Sequence, residues 1–391
     1  MNILILHKVP FYKARYDLSI DHNTHNVYYL ISNNFDDLPN NIKTNKIINN
    51  DKSVLDCISK YIKDNKIIFD RVIALSEYQI LDGALIREKF NIFGPKPQQI
   101  SKSRIKSIMK SAILDSNIKT SKSILLTDLF KNKKFSTDKK LVLKPIDGAA
   151  SNEVEIFDNL SNLIDYSQSI NNKSKYIIEE YISGDIFHFD GLIVNKKVYL
   201  LIASKYINNC FLYMKGKPAG SYQFKHTNNH LNWVQSCIDA LSIENGAFHL
   251  EAIKNNNEFY FLEIANRAGG AAVINNIKLK AGINLHIEET RLYLDSSYKP
   301  KFKLSDNYFG FFLFPGHHFT NDYCKIFHYE KYIKDESLYS FNLLKDNQKT
   351  VKNVSYRMNE VPFAGVVCNK APNKNKNLIK DIFEHVRVIP Q

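Results

Sequence analysis

The sequence predicts an α/β protein built from two or three domains. Its 391 residues are 44% hydrophobic, which is ample for packed cores in a chain of this length. Near the amino terminus, short apolar runs typical of strands alternate with a segment whose apolar residues have helical spacing. From residue 123 onward strand patterns predominate, and the chain closes with a helical pattern.

The first 95 residues are predicted to form a small parallel α/β domain. Their strand-like runs lie at 2–6, 26–32 and 71–75. The stretch SVLDCISKYIKD between them has helical spacing, and this alternation favours a parallel sheet with packed helices. Ligands of such sheets bind beyond the carboxyl ends of the strands. We therefore expect Ser76 and Glu77, which follow the third run, to border a pocket.

Composition excludes several classes of protein. High aromatic content with modest proline and glycine argues against disorder, and no apolar run is long enough to span a membrane. Five scattered cysteines and the lack of a leader-like start predict a reduced, cytoplasmic protein. The net charge of +13 comes from lysines spread along the chain, so a nucleic-acid-binding protein is only the rival hypothesis. The basic helix at 101–110 and KYINNCFLYMKGK are its support.

The stretch HLEAIKNNNEFYFLEIA is predicted to be a β-hairpin with an asparagine-rich turn. A three-residue loop would place Glu251 opposite Glu263 on one face of the sheet. Like charges in that position repel, so the pair makes sense if a divalent cation lies between them. Oxygen ligands favour magnesium over zinc. The alternatives are a lysine partner for one glutamate, or another loop length that puts them on opposite faces.

Two further segments have features of an anion site. In LVLKPIDGAASNEVEIF, Lys144 ends an apolar strand and a turn of small residues follows, an arrangement that can hold phosphate. In YIIEEYISGDIFHFDG, two consecutive carboxylates close a buried strand, and apolar residues and a glycine follow. This second segment can supply an edge where backbone atoms face a flat heterocycle.

Taken in order, these segments resemble the ATP-grasp carboxylate–amine ligases. The resemblance covers roughly residues 70 to 290 and depends on Lys106, KPIDGAAS, EEYISGDIFHFDG, GAFHLE and FLEIANRAGG. Within that family the L-amino-acid ligases, which include carnosine synthase and bacterial dipeptide synthetases, are the most similar subgroup.

The resemblance implies an ATP-grasp fold of class α/β with an α+β lid. Its expected parts are a Rossmann-like N-terminal domain (1–95), a linker helix (96–115), a β-rich lid subdomain (116–182), an ATP-grasp core with the hairpin (183–300) and a C-terminal α+β region (301–391).

By the same resemblance, several residues are expected to bind ATP. Lys106 and Lys144 would contact the phosphates, with Ser151 in a flap over them. The adenine would be bordered by Glu179, Glu180 and the backbone of Ile182. The ribose would lie near Asp185 or His188, although Ile186 stands where many ATP-grasp enzymes have a ribose-binding glutamate.

The segment FLEIANRAGG is expected to hold the metal and the substrate. Glu251 and Glu263 would bind Mg²⁺ or Mn²⁺, and Arg267 would bind the substrate carboxylate and its acyl phosphate. Gly269 and Gly270 would let their backbone approach that anion, with Glu77 at the substrate pocket. The common pattern Glu-Ile-Asn-X-Arg has Ala265 in place of its asparagine here. Either Asn266 is the third metal ligand, as we expect if the strand ends at Ala265, or one metal site is weakened.

The implied activity is ATP-dependent formation of an amide or peptide bond through an acyl phosphate, with release of ADP and phosphate. The substrates would be a small carboxylate and an amine, with an amino acid among them. The alternatives are a ligase that loads an amino acid onto a carrier protein and an enzyme similar to D-alanine ligase. A homodimer is a further open alternative.

Overall fold

A computed structural model describes residues 1–49, 53–131, 135, 137–345 and 347–391. Within them the chain forms a four-stranded N-terminal sheet, a second four-stranded sheet, an eight-stranded sheet and a two-stranded ribbon. None of the helices in these ranges combines the length and apolar character needed to cross a bilayer.

The N-terminal sheet is parallel, as the alternating pattern predicts, with strand order β3-β2-β1-β4. Its elements are β1 (Asn2–Leu6), α1 (Phe11–Ala14), β2 (Asn26–Ile31), β3 (Asn45–Ile48), α2 (Val54–Asn65), β4 (Arg71–Ala74) and α3 (Ile80–Lys89). Successive residues of β1 enter cores on opposite faces: Ile3 and Ile5 on one, Leu4 and Leu6 on the other. The sheet is therefore covered on both sides, and the carboxyl end of β4 leads directly to Glu77.

The expected single linker helix is two helices, α4 (Pro97–Arg104) and α5 (Lys106–Asp115). They are separated by Ile105, whose backbone is extended. Pro97 begins α4, where its missing N–H costs nothing. The backbone N–H of Lys106 donates to the carbonyl of Ile146 at 2.8 Å, outside its own helix. This break fixes the start of α5 against the second four-stranded sheet.

That second sheet lies within the segment expected to be the lid and is antiparallel, with order β5-β8-β6-β7. Its elements are β5 (Ser123–Leu125), α6 (Leu126–Phe130), β6 (Leu141–Pro145), β7 (Glu155–Phe157), α7 (Leu160–Ser167) and β8 (Tyr176–Glu180). Leu126, Leu141, Leu143, Leu163 and Ile178 form its core. The loop between β6 and β7 is the small-residue segment expected to be a flap.

The eight-stranded sheet is antiparallel and has the order β13-β12-β9-β10-β11-β14-β17-β16. Its strands are β9 (Asp185–Val194), β10 (Lys197–Asn208), β11 (Ala219–Phe224), β12 (Gly246–Asn255), β13 (Glu258–Ala265), β14 (Tyr308–Phe314), β16 (Leu338–Leu343) and β17 (Phe363–Asn369). The remaining elements are α8 (Cys210–Met214), α9 (Asn228–Leu241), α10 (Val273–Ala281), α11 (Leu285–Leu294), β15 (Cys324–Phe327), α12 (Pro372–His385) and β18 (Arg387–Pro390). The strands β14, β16 and β17, from the expected C-terminal region, belong to the same sheet as the strands of the expected core. The boundary expected at residue 300 therefore falls inside one sheet.

Candidate active site

A cavity of about 430 Å³ lies between the second four-stranded sheet and the eight-stranded sheet. Its walls come from the start of α5, the end of β6, the flap loop, the end of β8 and the hairpin of β12 and β13. The expected site residues that line it are Lys106, Lys144, Ser151, Glu179, Glu180, Ile182, Asp185, Glu251 and Glu263. Segments far apart in sequence therefore meet in one cavity.

The hairpin pairs Glu251 directly with Glu263, as the sequence predicts, but the loop length is different. The turn has two residues, Asn256 and Asn257, both with positive φ, as the common two-residue hairpin turn requires. A two-residue turn alone would place Glu251 opposite Leu262. The register shifts by one residue between Glu251 and Ala252, and this bulge restores the pairing of the two carboxylates.

The two glutamates have different neighbours. Glu251 accepts a hydrogen bond from the hydroxyl of Tyr206 at 2.9 Å, and its other neighbour is the Nε2 of His249 at 3.4 Å. Glu263 lies 3.4 Å from the Nζ of Lys106. Burial would raise the pKa of Glu263, but Lys106 and Lys144 outweigh it and lower the pKa. The two side chains lie together on one wall of the cavity, and the lysines keep Glu263 there as a carboxylate.

A buried charge cluster forms beside this wall around Glu179. Its carboxylate lies 2.9 Å from Lys144 and 3.2 Å from Lys110, and it accepts a hydrogen bond from Ser121 at 2.8 Å. Burial would raise the pKa of Glu179, but the two lysines reverse this and lower it to about 2. Burial lowers the pKa of Lys110 to about 8. Glu179 thus lines the cavity and is paired there with Lys144.

The flap loop is hydrogen-bonded to Lys106 and to the C-terminal region. The Nζ of Lys106 donates to the carbonyl of Gly148 at 2.7 Å. Ala150 and Ser151 have positive φ, a conformation that turns the loop sharply. The hydroxyl of Tyr356, from the C-terminal region, donates to the carbonyl of Ala150 at 3.2 Å. The loop therefore connects α5, the cavity and the C-terminal region.

Glu180, Ile182 and Asp185 form the opposite edge of the cavity. The carboxylate of Glu180 lies 3.2 Å from Lys139, and that of Asp185 lies 2.5 Å from Lys205. Gly184, between these residues, has a φ of 151°, and a side chain there would collide with the carbonyl of Lys254. The glycine thus allows the strand connection to approach the hairpin.

His188 is not at this cavity, contrary to the expected place near the ribose. Its ring is buried, and its nitrogens contact Asp190 and Ser221, each at 2.6 Å. Asp190 also binds His249 at 2.7 Å. Because both ring nitrogens of His188 have protein partners, the side chain belongs to a polar row that leads through His249 to Glu251.

Asn266 is also not where the sequence analysis places it. Its Nδ2 donates to the carbonyl of Ala247 at 2.9 Å and to that of Asn245 at 3.3 Å. The residue lines a separate cavity. The strand β13 ends at Ala265, and the side chain that follows turns away from the paired glutamates. The expected third metal ligand is therefore not brought to Glu251 and Glu263.

Arg267 and Glu77 do meet, at the junction of the N-terminal and eight-stranded sheets. The Nε of Arg267 donates to a carboxylate oxygen of Glu77, and its Nη1 donates to the carbonyl of Ala268 at 2.7 Å. Arg104 approaches the same carboxylate at 3.4 Å. A Cβ at Gly269 would lie 2.8 Å from Asp190, so this glycine is required by close packing, while Gly270 faces open space.

Three residues in contact with the site were missed in the sequence: Lys110, Tyr206 and His249. Lys110 follows Lys106 by four residues, a helical spacing that places both on one face. His249 precedes Glu251 by two residues in a strand, so the same alternation that paired the glutamates could have found it. No sequence signal pointed to Tyr206.

The sequence is similar to that of a known domain family and of one curated protein. Residues 109–271 match the ATP-grasp domain. An L-arginine-specific L-amino acid ligase from Bacillus subtilis is 26% identical over 232 residues, which cover 56% of this chain and 56% of that protein. The matched region thus spans about half the length of this curated relative.

Solved structures agree over the whole chain. An L-amino acid ligase from Bacillus licheniformis has a TM-score of 0.72 at 17% identity, covering 100% of this chain and 98% of that one. The N5-carboxyaminoimidazole synthetase of Staphylococcus aureus complexed with ADP has a TM-score of 0.68 at 13% identity, covering 98% and 96%. Taken with the domain match at residues 109–271, these similarities show that the chain has the ATP-grasp fold.

Proposed function

We propose that this protein is an ATP-dependent carboxylate–amine ligase that activates an amino acid as an acyl phosphate and joins it to an amine. The observation that carries the proposal is the cavity in which Lys106 and Lys144 face the paired carboxylates of Glu251 and Glu263. Cations for phosphate and carboxylates for a divalent metal are the parts that phosphoryl transfer requires.

The donor set fits Mg²⁺. Two carboxylates on neighbouring strands line one cavity, and one of them, Glu263, is already paired with a cation, Lys106. Magnesium is usually held by one or two carboxylates together with substrate phosphates. When bound, the metal would neutralise the charge of the terminal phosphates. Glu251 and Glu263 would hold it, and Tyr206 would fix the orientation of Glu251.

In the first step, an oxygen of the substrate carboxylate attacks the γ-phosphorus of ATP, and the bond to the bridging oxygen breaks to release ADP. Lys106 and Lys144 stabilise the negative charge on the phosphate oxygens. Glu179 keeps Lys144 in place. The flap loop excludes water from the acyl phosphate, which would otherwise be hydrolysed.

In the second step, an amine nitrogen attacks the acyl carbon, the bond to phosphate breaks, and the nitrogen loses a proton. Arg267 would bind the carboxylate that is activated through the end of its guanidinium group that Glu77 and Ala268 do not engage. Glu77 accepts a hydrogen bond from the Nε of Arg267 and so orients the rest of the guanidinium group. An amino acid as the acid substrate is supported by the activities named for the two L-amino acid ligases that this chain resembles.

A screen of amino acids, singly and in pairs, for ATP-dependent phosphate release tests the proposal. One or more pairs should release phosphate in proportion to a dipeptide detected by mass spectrometry. Phosphate release without an amide product, in every pair that hydrolyses ATP, would contradict ligation. The variant Arg267→Ala is the control, because it should abolish product formation while the protein still binds nucleotide.

A further inference from the structure

A row of polar side chains crosses the eight-stranded sheet and ends at Glu251. The hydroxyl of Ser221 on β11 lies 2.6 Å from one ring nitrogen of His188 on β9, and the other ring nitrogen lies 2.6 Å from Asp190. The second oxygen of Asp190 lies 2.7 Å from the Nδ1 of His249 on β12. The Nε2 of that ring lies 3.4 Å from Glu251. Each oxygen of Asp190 therefore holds one imidazole ring.

Strand register explains the row, and burial fixes it. In the pairing of β9 with β12, Asp190 is opposite His249 and His188 is opposite Glu251. Alternate residues of a strand share one face, so these four side chains lie side by side. Asp190 is 1% exposed, and a buried carboxylate is costly without partners, which the two rings supply. The ring of His249 is therefore held at its Nδ1, which leaves its Nε2 for Glu251.

The contacts of Glu251 differ between its two oxygens. The Oε1 accepts the hydrogen bond from Tyr206 at 2.9 Å, and the same oxygen is the one that lies 3.4 Å from the Nε2 of His249. Among the described residues, none forms a hydrogen bond or an ion pair with the Oε2. The side chain of Glu251 lines the cavity proposed to bind the nucleotide and is 16% exposed. Protein groups thus hold one oxygen of the carboxylate and leave the other for a metal ion.

The row also contacts the loop that follows β13. A Cβ at Gly269 would lie 2.8 Å from an oxygen of Asp190 and 3.0 Å from the Nδ1 of His249. The backbone of this loop therefore packs against the same two side chains that support Glu251. Arg267 precedes Gly269 by two residues in this loop. One pair of side chains thus contacts both the proposed metal ligand and the loop that carries the proposed substrate arginine.

We propose that Asp190 and His249 are positioning residues for the metal site. Asp190 holds the ring of His249, and the ring holds the Oε1 of Glu251, so that the Oε2 is oriented for the metal. The inference rests on the proposed function, because it takes Glu251 as a metal ligand. Hydrogen-bonding partners of metal ligands typically contribute about 10- to 100-fold to metal affinity, so the loss of His249 should be measurable without any assay of turnover.

The readout is the factor by which Mn²⁺ tightens the binding of ADP. Calorimetry on the full chain gives the affinity for ADP in saturating Mn²⁺ and in EDTA, and the ratio of the two is the metal enhancement. His249→Ala should lower this ratio by about tenfold or more, while the affinity in EDTA stays unchanged. Asp190→Asn should lower the ratio in the same direction, because its amide nitrogen cannot accept a hydrogen bond from a ring. A purely structural role would weaken ADP binding equally in both conditions.

Two conservative variants at position 249 separate the contacts of the ring. His249→Gln places an amide near the position of the Nε2 and should keep most of the metal enhancement. His249→Asn places an amide near the position of the Nδ1, so it keeps the contact with Asp190 but should behave like His249→Ala. The matched control is His22→Gln, because His22 is also buried, and its ring nitrogens contact the carbonyl of Ile20 at 3.0 Å and the hydroxyl of Tyr29 at 2.8 Å, away from the cavity. It should keep the full enhancement.

The outcomes distinguish this inference from the proposed function. If Mn²⁺ does not tighten ADP binding to the wild type, the proposed metal site fails, and the positioning role fails with it. An enhancement that is lost in Glu251→Gln but kept in His249→Ala would leave the metal site in place and overturn the positioning role alone. An equal enhancement in His249→Gln and His249→Asn would also overturn it, since only the first variant restores a group beside Glu251.

Discussion

Arg267 and Glu77 form an ion pair that joins the eight-stranded sheet to the N-terminal domain, with Arg104 approaching the same carboxylate. The Nε of Arg267 and one of its terminal nitrogens are engaged by protein oxygens. Among the described contacts, none engages the other terminal nitrogen, Nη2. The pair therefore orients the guanidinium group and leaves Nη2 as the end with which we propose that it binds the substrate anion.

Replacing Arg267 with lysine tests whether that group binds the activated carboxylate. Lysine keeps the charge but loses the planar fork, so turnover should fall on the order of 10²-fold. Binding of Mg-ATP should stay near normal, because Arg267 does not line the cavity proposed to bind the nucleotide. Ligation rates and calorimetric ATP affinities of the wild type and variant give the answer. Near-normal turnover of Arg267→Lys would leave the arginine as a purely structural partner of Glu77.

Glu263→Gln should weaken nucleotide binding only in the presence of the metal. The neutral amide is a poorer ligand for Mg²⁺ than a carboxylate, and Lys106 loses its charged partner. Calorimetry should show that the variant loses much of its affinity for ATP in the presence of magnesium. In EDTA its affinity for ATP should change little.

The matched control is Glu258→Gln, on the same strand, where the carboxylate pairs with the exposed Lys119. This variant should bind Mg-ATP like the wild type. An equal loss in both variants would point to damage to the hairpin and not to a metal site.

Glu179→Gln should destabilise the fold by about 3 kcal/mol, because it leaves two buried lysines without their carboxylate. The neighbouring Glu180 pairs instead with Lys122 and Lys139, which are largely exposed, so Glu180→Gln should cost less than about 1 kcal/mol. Urea unfolding of the two variants compares adjacent positions directly. If the two variants lost similar amounts of unfolding free energy, the buried cluster would not be a particular source of stability.

Lowering the pH should reveal how much the charge of Glu179 contributes to the stability of the fold. The pKa of Glu179 is lowered from 4.5 to about 2 in the folded protein, so its contribution to stability is complete above 4.5 and is lost as the pH falls toward 2. The free energy of unfolding of the wild type should therefore decline more steeply over this range than that of Glu179→Gln. Parallel pH profiles for the two proteins would exclude Glu179 as the cause.

The paired glutamates show what the sequence pattern predicts correctly and what it does not predict. Alternation places Glu251 and Glu263 on one face, and the structure confirms their pairing. The pairing was argued for a three-residue loop, whereas two asparagines make the turn and a bulge shifts the register. The bulge adds the one residue that the shorter turn lacks, so the pairing is the same as with a three-residue loop. A bulge has no reliable sequence signature and could not be predicted.

The misplaced residues have a common physical cause. His188 and Asn266 are polar and adjoin the motifs of the expected site. Each, however, forms its hydrogen bonds with protein groups outside the cavity that holds Glu251 and Glu263. Sequence spacing gives the face on which a side chain lies and does not give its partners. Similarly, the break at Ile105 depends on a hydrogen bond to Ile146 in another sheet, which no local pattern contains.

Transfer of oxygen from the substrate acid to phosphate tests the ligase proposal most directly. With a substrate amino acid labelled with ¹⁸O in its carboxylate, attack on the γ-phosphorus leaves one carboxylate oxygen in the acyl phosphate. Displacement by the amine then releases that oxygen with phosphate. The account predicts ADP and phosphate that carries one ¹⁸O atom, in equal amounts with the amide product. Unlabelled phosphate, or AMP and pyrophosphate as the products, would contradict it.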